Sequence, residues 1–173
     1  MLFKKTTALL IFLFLINYQC SPKIIRKEIS IGEKFPLIIL SDQYGGLASS
    51  GKFSQGKWIF IGNNYKNGYM ESKKWQNAIG QIDKSWKIKR LWSLEFLPFY
   101  KPSYCIIRKM NKENPHDAPL TLFIDKNGRF FNLLGMKSNV DNLYFIENGI
   151  IKEKFSDSFN KENFQKIKEL LAK

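Results

Sequence analysis

At 173 residues, with 44% hydrophobic and 15% aromatic side chains, the chain can fill one ordinary core, which excludes global disorder and leaves no room for two full domains. Lys and Arg number 28 against 15 acidic residues, a formal charge of +13, so anionic surfaces attract it. The lysines are spread along the chain rather than clustered, which is the pattern of a solvated basic surface.

The first twenty residues have a basic start (Lys4, Lys5), an apolar run from Ala8 to Ile16, and polar Asn17, Tyr18 and Gln19 before Cys20. That three-part layout is the one of a secretory leader. The run is shorter than the roughly 20 apolar residues that a membrane-spanning helix needs. A cysteine directly after such a leader resembles a bacterial lipoprotein, which implies lipid on Cys20 and a cell-envelope address, periplasm-facing or on the outer membrane. Asn17 and Gln19 stand where the usual pattern has Leu and a small residue, so ordinary cleavage and an uncleaved anchor stay open as alternatives. Residues 21–27 (SPKIIRK) read as a tether, with the folded domain spanning 28–173.

Phe35 to Leu40 is an apolar run that ends in the turn residues Asp42, Gly45 and Gly46, and predicts a short strand and loop. Trp58 to Gly62 (WIFIG) predicts a strand buried on both faces, central in its sheet. From Gly68 to Ser85, Trp75, Ala78, Ile79 and Ile82 recur at helical spacing and predict an amphipathic helix. Trp86 to Leu91 alternates apolar and basic residues, as a strand with one wet face does. Lys101 to Asn114 reads as a helix ended by Pro115 and Pro119. Leu120 to Asp125 is another strand-like run, stopped by Lys126-Asn127-Gly128, and Phe130 to Met136 forms a short apolar block. Asn142–Ile146 and Ile150–Phe155 flank Glu147-Asn148-Gly149, and an Asn-Gly between two apolar runs predicts a β-hairpin. Phe164, Ile167, Leu170 and Leu171 fall on one face of a closing helix, with Asn160 or Ser158 as its N-cap.

That order, an α/β chain with a mixed central sheet and helices on both faces, resembles the thioredoxin-like fold. GEKFPLIILSDQYG resembles the opening strand of its peroxiredoxin-type branch, LTLFIDKNGRFFNLLGM the following strand, turn and short helix, and NLYFIENGIIKEKF the closing hairpin. The spacing between these phrases is similar to that of the periplasmic YtfJ-like proteins, over about Ile31 to Leu171. The resemblance implies a reactive cysteine at the start of the helix after the central strand, where the helix dipole stabilises a thiolate. Here that loop reads Asn63-Asn64-Tyr65-Lys66-Asn67-Gly68-Tyr69, with no cysteine. The cis-proline that usually precedes the hairpin is replaced by Ser138-Asn139-Val140-Asp141; the other register, with Pro119 as that proline, leaves the Asn-Gly turn and last helix over.

Three readings of function follow. In the first, the chain is an envelope-anchored accessory or binding module whose degenerate loop, Asn63, Asn64, Tyr65, Lys66 and Asn67, holds a partner protein. In the second, Cys105 serves alone as a peroxidase or oxidoreductase thiol, although its neighbours Tyr104, Ile106 and Ile107 favour an inert core cysteine. In the third, the lysines bind anionic lipid or lipopolysaccharide. The sole histidine, His116, and Asp117 read as a solvated loop; a zinc site is not expected from one histidine without a cysteine cluster. Asp125-Lys126-Asn127-Gly128 lacks the later carboxylates of a calcium loop and reads as a turn. The four tryptophans, 58, 75, 86 and 92, read as core, with Trp92, Phe96, Phe99 and Tyr100 either capping the sheet or forming an apolar edge. No phosphate loop, serine nucleophile elbow, metalloprotease helix or nucleic-acid motif is present, and no cofactor is expected.

Overall fold

The computed structural model describes residues 28–94, 105, 107, 108, 111, 112 and 122–172. Within them lie β1 (Ile39–Asp42), β2 (Leu47–Ser49), a 3-10 turn (Ser50–Ser54), β3 (Lys57–Asn63), α1 (Gly68–Ile82), β4 (Lys87–Ser93), β5 (Leu122–Asp125), α2 (Arg129–Leu133), β6 (Asp141–Glu147), β7 (Ile150–Asp157) and α3 (Lys161–Leu171). The leader, the tether, Cys20, His116, Asp117 and the Phe96, Phe99 and Tyr100 group lie outside the described residues. Of the helix expected over Lys101 to Asn114, the described Cys105, Ile107, Arg108, Asn111 and Lys112 are helical.

The strands form one mixed sheet in the order β2-β1-β5-β4-β3-β6-β7. β3 is parallel to β4 through Trp58↔Lys87 to Asn63↔Trp92, and antiparallel to β6 through Lys57↔Glu147 to Gly62↔Asn142. Strand β6, not β5, therefore occupies the hairpin position beside the central strand, and Pro119 does not precede it. WIFIG is interior because its strand is hydrogen-bonded on both sides and its last five residues are buried. Alternation along β3 sends Ile59 and Ile61 to one face and Phe60 to the other. The first face is covered by α1 and α3 through Trp75, Ile79 and Ile167. On the second, Phe60 meets Phe35, Phe53, Phe123, Tyr144 and the α2 residue Phe131.

Some local readings shift. The opening run is irregular over Phe35–Ile38, with Phe35 and Ile38 buried, and the strand begins at Ile39. A three-residue β2 that no sequence pattern announced lies outside it at the sheet edge. β4 is wet only at its start: Lys87 is exposed, Lys89 is half-buried with its ammonium 5.4 Å from the Phe123 ring centroid, and Arg90, only 3% exposed, donates to the Tyr69 carbonyl at 3.1 Å. Arg90 pairs with Ile61 of β3 and so shares the face that α1 covers, where its guanidinium meets a carbonyl instead of water.

The hairpin follows the sequence closely. Asn148 (φ 50°) and Gly149 (φ 82°) both take left-handed backbone, as a type I′ turn requires. Asn148 also pairs with Gly56, donating from its backbone N–H at 2.9 Å and accepting the Gly56 N–H on Oδ1 at 2.9 Å. Helix α3 starts where Asn160 accepts the Asn163 N–H at 2.8 Å. Gly149→Ala is expected to lower unfolding stability by about 1–2 kcal/mol, because a Cβ is strained at that positive φ. Urea denaturation checks this, and an unchanged midpoint would mean that the turn relaxes freely.

Candidate functional site

The loop that leaves β3 and enters α1 is where the sequence placed its degenerate site. Its polar side chains divide sharply. Asn63 is fully buried, Asn64 and Tyr65 are half-buried, and Lys66 and Asn67 are exposed. The inward residues converge on Asp141, the first residue of β6, which is also fully buried. Asp141 Oδ1 accepts from Asn63 Nδ2 at 2.8 Å and from the Tyr65 hydroxyl at 3.1 Å, while Oδ2 accepts from Trp75 Nε1 at 3.0 Å. One carboxylate thus ties together the loop, the middle of α1 and the start of the hairpin.

Further bonds fix the loop. Asn63 Nδ2 donates to the Gly68 carbonyl at 2.7 Å, Asn64 donates to Ser138 Oγ at 3.1 Å and accepts from the Asn139 N–H at 3.1 Å, and Trp92 Nε1 donates to the Tyr65 carbonyl at 2.9 Å. Asn63 Oδ1 is a buried acceptor with no donor among the described residues. It lies against Gly68, where a Cβ would overlap it, so the helix must open on glycine. The Ser138–Asp141 segment, in the place of the usual cis-proline, thereby serves as the loop's anchor. Tyr69 packs on Trp92 with ring centroids 5.0 Å apart, closing the site from the α1 side.

A carboxylate without water resists ionisation. Burial raises the Asp141 carboxyl from 3.8 to about 6; the bonds from Asn63, Tyr65 and Trp75 oppose that rise, and the charge of Glu71 adds to it. Burial first, and then the Asp141 charge, push the Tyr65 phenol well above its ordinary value, so it remains a neutral donor. The arrangement can hold and share a proton, and it can present Lys66 and Asn67 on a fixed backbone.

The other candidates are scattered. Cys105, expected in the core, is exposed, while Ile107 turns inward onto the cluster of Trp92, Leu94, Leu122 and Ile124. Trp92 is core, as are Trp75 and, in part, Trp58 and Trp86. Asp125 opens the expected turn and accepts the Phe131 N–H at 2.8 Å, holding the start of α2. No group of three or more metal-ligating side chains occurs among the described residues. Sequence reading missed Asp141 as a site residue; its one signal was a carboxylate just before the apolar run Leu143–Ile146.

No family model matches the chain, and no curated protein matches its sequence. Solved structures do match. The Chlorobium tepidum protein named as a thiol:disulfide interchange protein DsbE aligns with TM-score 0.65 at 16% identity, over 84% of this chain and 98% of its own. Thiol peroxidase from Chromobacterium violaceum aligns with TM-score 0.61 at 13% identity, over 86% and 89%. The pneumococcal exposed lipoprotein thioredoxin Etrx1 from Streptococcus pneumoniae aligns with TM-score 0.55 at 12% identity, over 78% and 99%. The fold is thioredoxin-like.

Asp141 links the site to stability. Its native pKa lies above that of the unfolded chain, so the native state keeps the proton longer. Its contribution to stability is therefore present below about pH 4, falls as pH rises to about 6, and is lost above that, by about 3 kcal/mol in all. The difference in unfolding free energy between wild type and Asp141→Asn, measured in urea across that window, is expected to change with this sign. A pH-independent difference would mean that Asp141 titrates as an ordinary carboxyl.

Proposed function

We propose that this protein is an envelope-anchored, thioredoxin-fold binding module without thiol chemistry at the fold's usual redox position. The observation that carries the reading is the Asn63 to Tyr69 loop: it has no cysteine, its inward side chains are consumed by Asp141, Ser138 and Asn139, and its Tyr65 carbonyl is held by Trp92. A loop so tied loses little conformational entropy on association, which favours recognition. Lys66 and Asn67 are its outward side chains, with Met70, 41% exposed, one turn along. A partner with an acidic, partly apolar patch fits that surface.

The address rests on the leader pattern ending at Cys20, on the basic charge, and on likeness to a lipoprotein thioredoxin. No helix among the described residues is long and apolar enough to cross a membrane. We assign attachment to lipid on Cys20 because a cysteine directly follows the leader. Cys20→Ser is expected to move the protein from the membrane to the soluble fraction on ultracentrifugation; unchanged membrane retention would instead favour an uncleaved anchor.

A second reading, a single-cysteine peroxidase, gains from the exposure of Cys105. In that chemistry the thiolate attacks peroxide, the O–O bond breaks to release water after proton uptake, and the sulfur becomes a sulfenic acid. The two readings separate in one comparison. A photo-crosslinking residue at position 66 should capture one envelope protein, with capture lost in Asn67→Glu, while peroxide consumption stays at the buffer rate. With a small thiol present to reduce the sulfenic acid through a mixed disulfide, peroxide turnover abolished by Cys105→Ser, with no capture at position 66, would transfer the function to Cys105.

A further inference from the structure

A groove of about 580 Å³ opens on the sheet far from the Asn63 loop in sequence, between β1, the turn after it, β5 and the helical residues Ile107, Arg108 and Asn111. Its floor follows from strand register. Ser41 pairs with Ile124 and with Leu47, and Ile39 lies two residues before Ser41, so Ile39, Leu47 and Ile124 share one face. Ile107 covers Ile124 at one end. Ile39 and Leu47 stay 53% and 82% exposed at the other, extending the apolar floor toward the sheet edge.

The rim is cationic. Arg108 and Lys126 line the groove, both exposed, and neither makes an ion pair among the described residues. Asp42, the carboxylate among the described lining residues, is directed into its own turn, where Oδ1 accepts from the Tyr44 and Gly46 N–H groups at 2.9 and 2.8 Å. Asn111 Nδ2 donates to the Gln43 carbonyl at 2.9 Å, fastening the helical wall to that turn. An apolar floor beneath two exposed cations suits a ligand with an apolar chain and an anionic head.

The occupant is further limited by the backbone. β1 is paired to β2 and β5, and β5 to β1 and β4, so the only strand edge at the floor among the described residues is that of β2, whose three residues give a peptide little to pair with. The volume lies within the range of about 300–1,000 Å³ typical of small-molecule sites. We propose that this groove binds a single-chain amphiphile with a carboxylate head, its chain over Ile124, Ile39 and Leu47 and its head between Arg108 and Lys126. The groove's lining includes neither Cys105 nor any residue of the Asn63 to Tyr69 loop.

Titration calorimetry of the full chain with octanoate, decanoate and dodecanoate, below their micelle concentrations, tests this. One saturable site is expected, tightening about tenfold for each two-carbon step. Arg108→Gln with Lys126→Gln should weaken dodecanoate at least tenfold without moving the melting temperature, since both side chains are exposed. Ile39→Ser should weaken dodecanoate more than octanoate. Absence of saturable dodecanoate binding would overturn the proposal, as would equal affinity for dodecyltrimethylammonium or affinity indifferent to the rim substitutions.

Discussion

A carboxylate withdrawn from water has to be met by donors, and at Asp141 those donors come from three places in the chain. Asn63 closes the central strand, Tyr65 belongs to the loop, and Trp75 lies in the middle of α1. Strand β6 must therefore sit beside β3, and α1 must lie over their shared face with its tryptophan inward. Removing one partner leaves either a buried charge short of donors or a buried donor without an acceptor, each costing about 1–3 kcal/mol or more. The constraint also fixes what the loop can display, since its first three residues are turned inward and Lys66 and Asn67 are turned out.

The thioredoxin-like scaffold thus carries two surfaces of different kinds. The loop at the end of β3 is a rigid polar platform with no sulfur. Across β4 and β5, the groove under Ile107 is apolar with a cationic rim. Buried Arg90 and Trp92 lie between them, each donating to a carbonyl of the loop or its helix. The proton held near Asp141 connects the platform to pH, because burial brings that carboxyl's titration to about 6.

Elements whose evidence is local were legible in the sequence. The Asn148-Gly149 turn needs two left-handed residues in succession, a demand few other pairs satisfy. WIFIG and the Phe164/Ile167 stripe declare burial through their own composition. What depends on distant partners was not legible. The donors to Asp141 lie 66 to 78 residues away, so nothing near Asp141 marks it as an anchor. β2 spans three residues, too few for a period to show. Arg90 breaks the apolar–basic alternation of its strand, and its burial depends on α1 and on the Tyr69 carbonyl, 21 residues before it. Cys105 looked buried because its sequence neighbours are apolar, but on a helix a residue two positions from inward Ile107 is turned by about 200°.

Asp141 holds the loop through Asn63 and Tyr65, and amide hydrogen exchange reads that hold directly. The Gly68, Met70 and Glu71 N–H groups are bonded to carbonyls of Tyr65 and Asn67 within the loop and the first turn of α1. In Asp141→Ala, these amides should exchange at least tenfold faster than in wild type, while β7 and α3 keep their protection. Unchanged exchange at the loop would show that the backbone holds itself and that the carboxylate is a bystander.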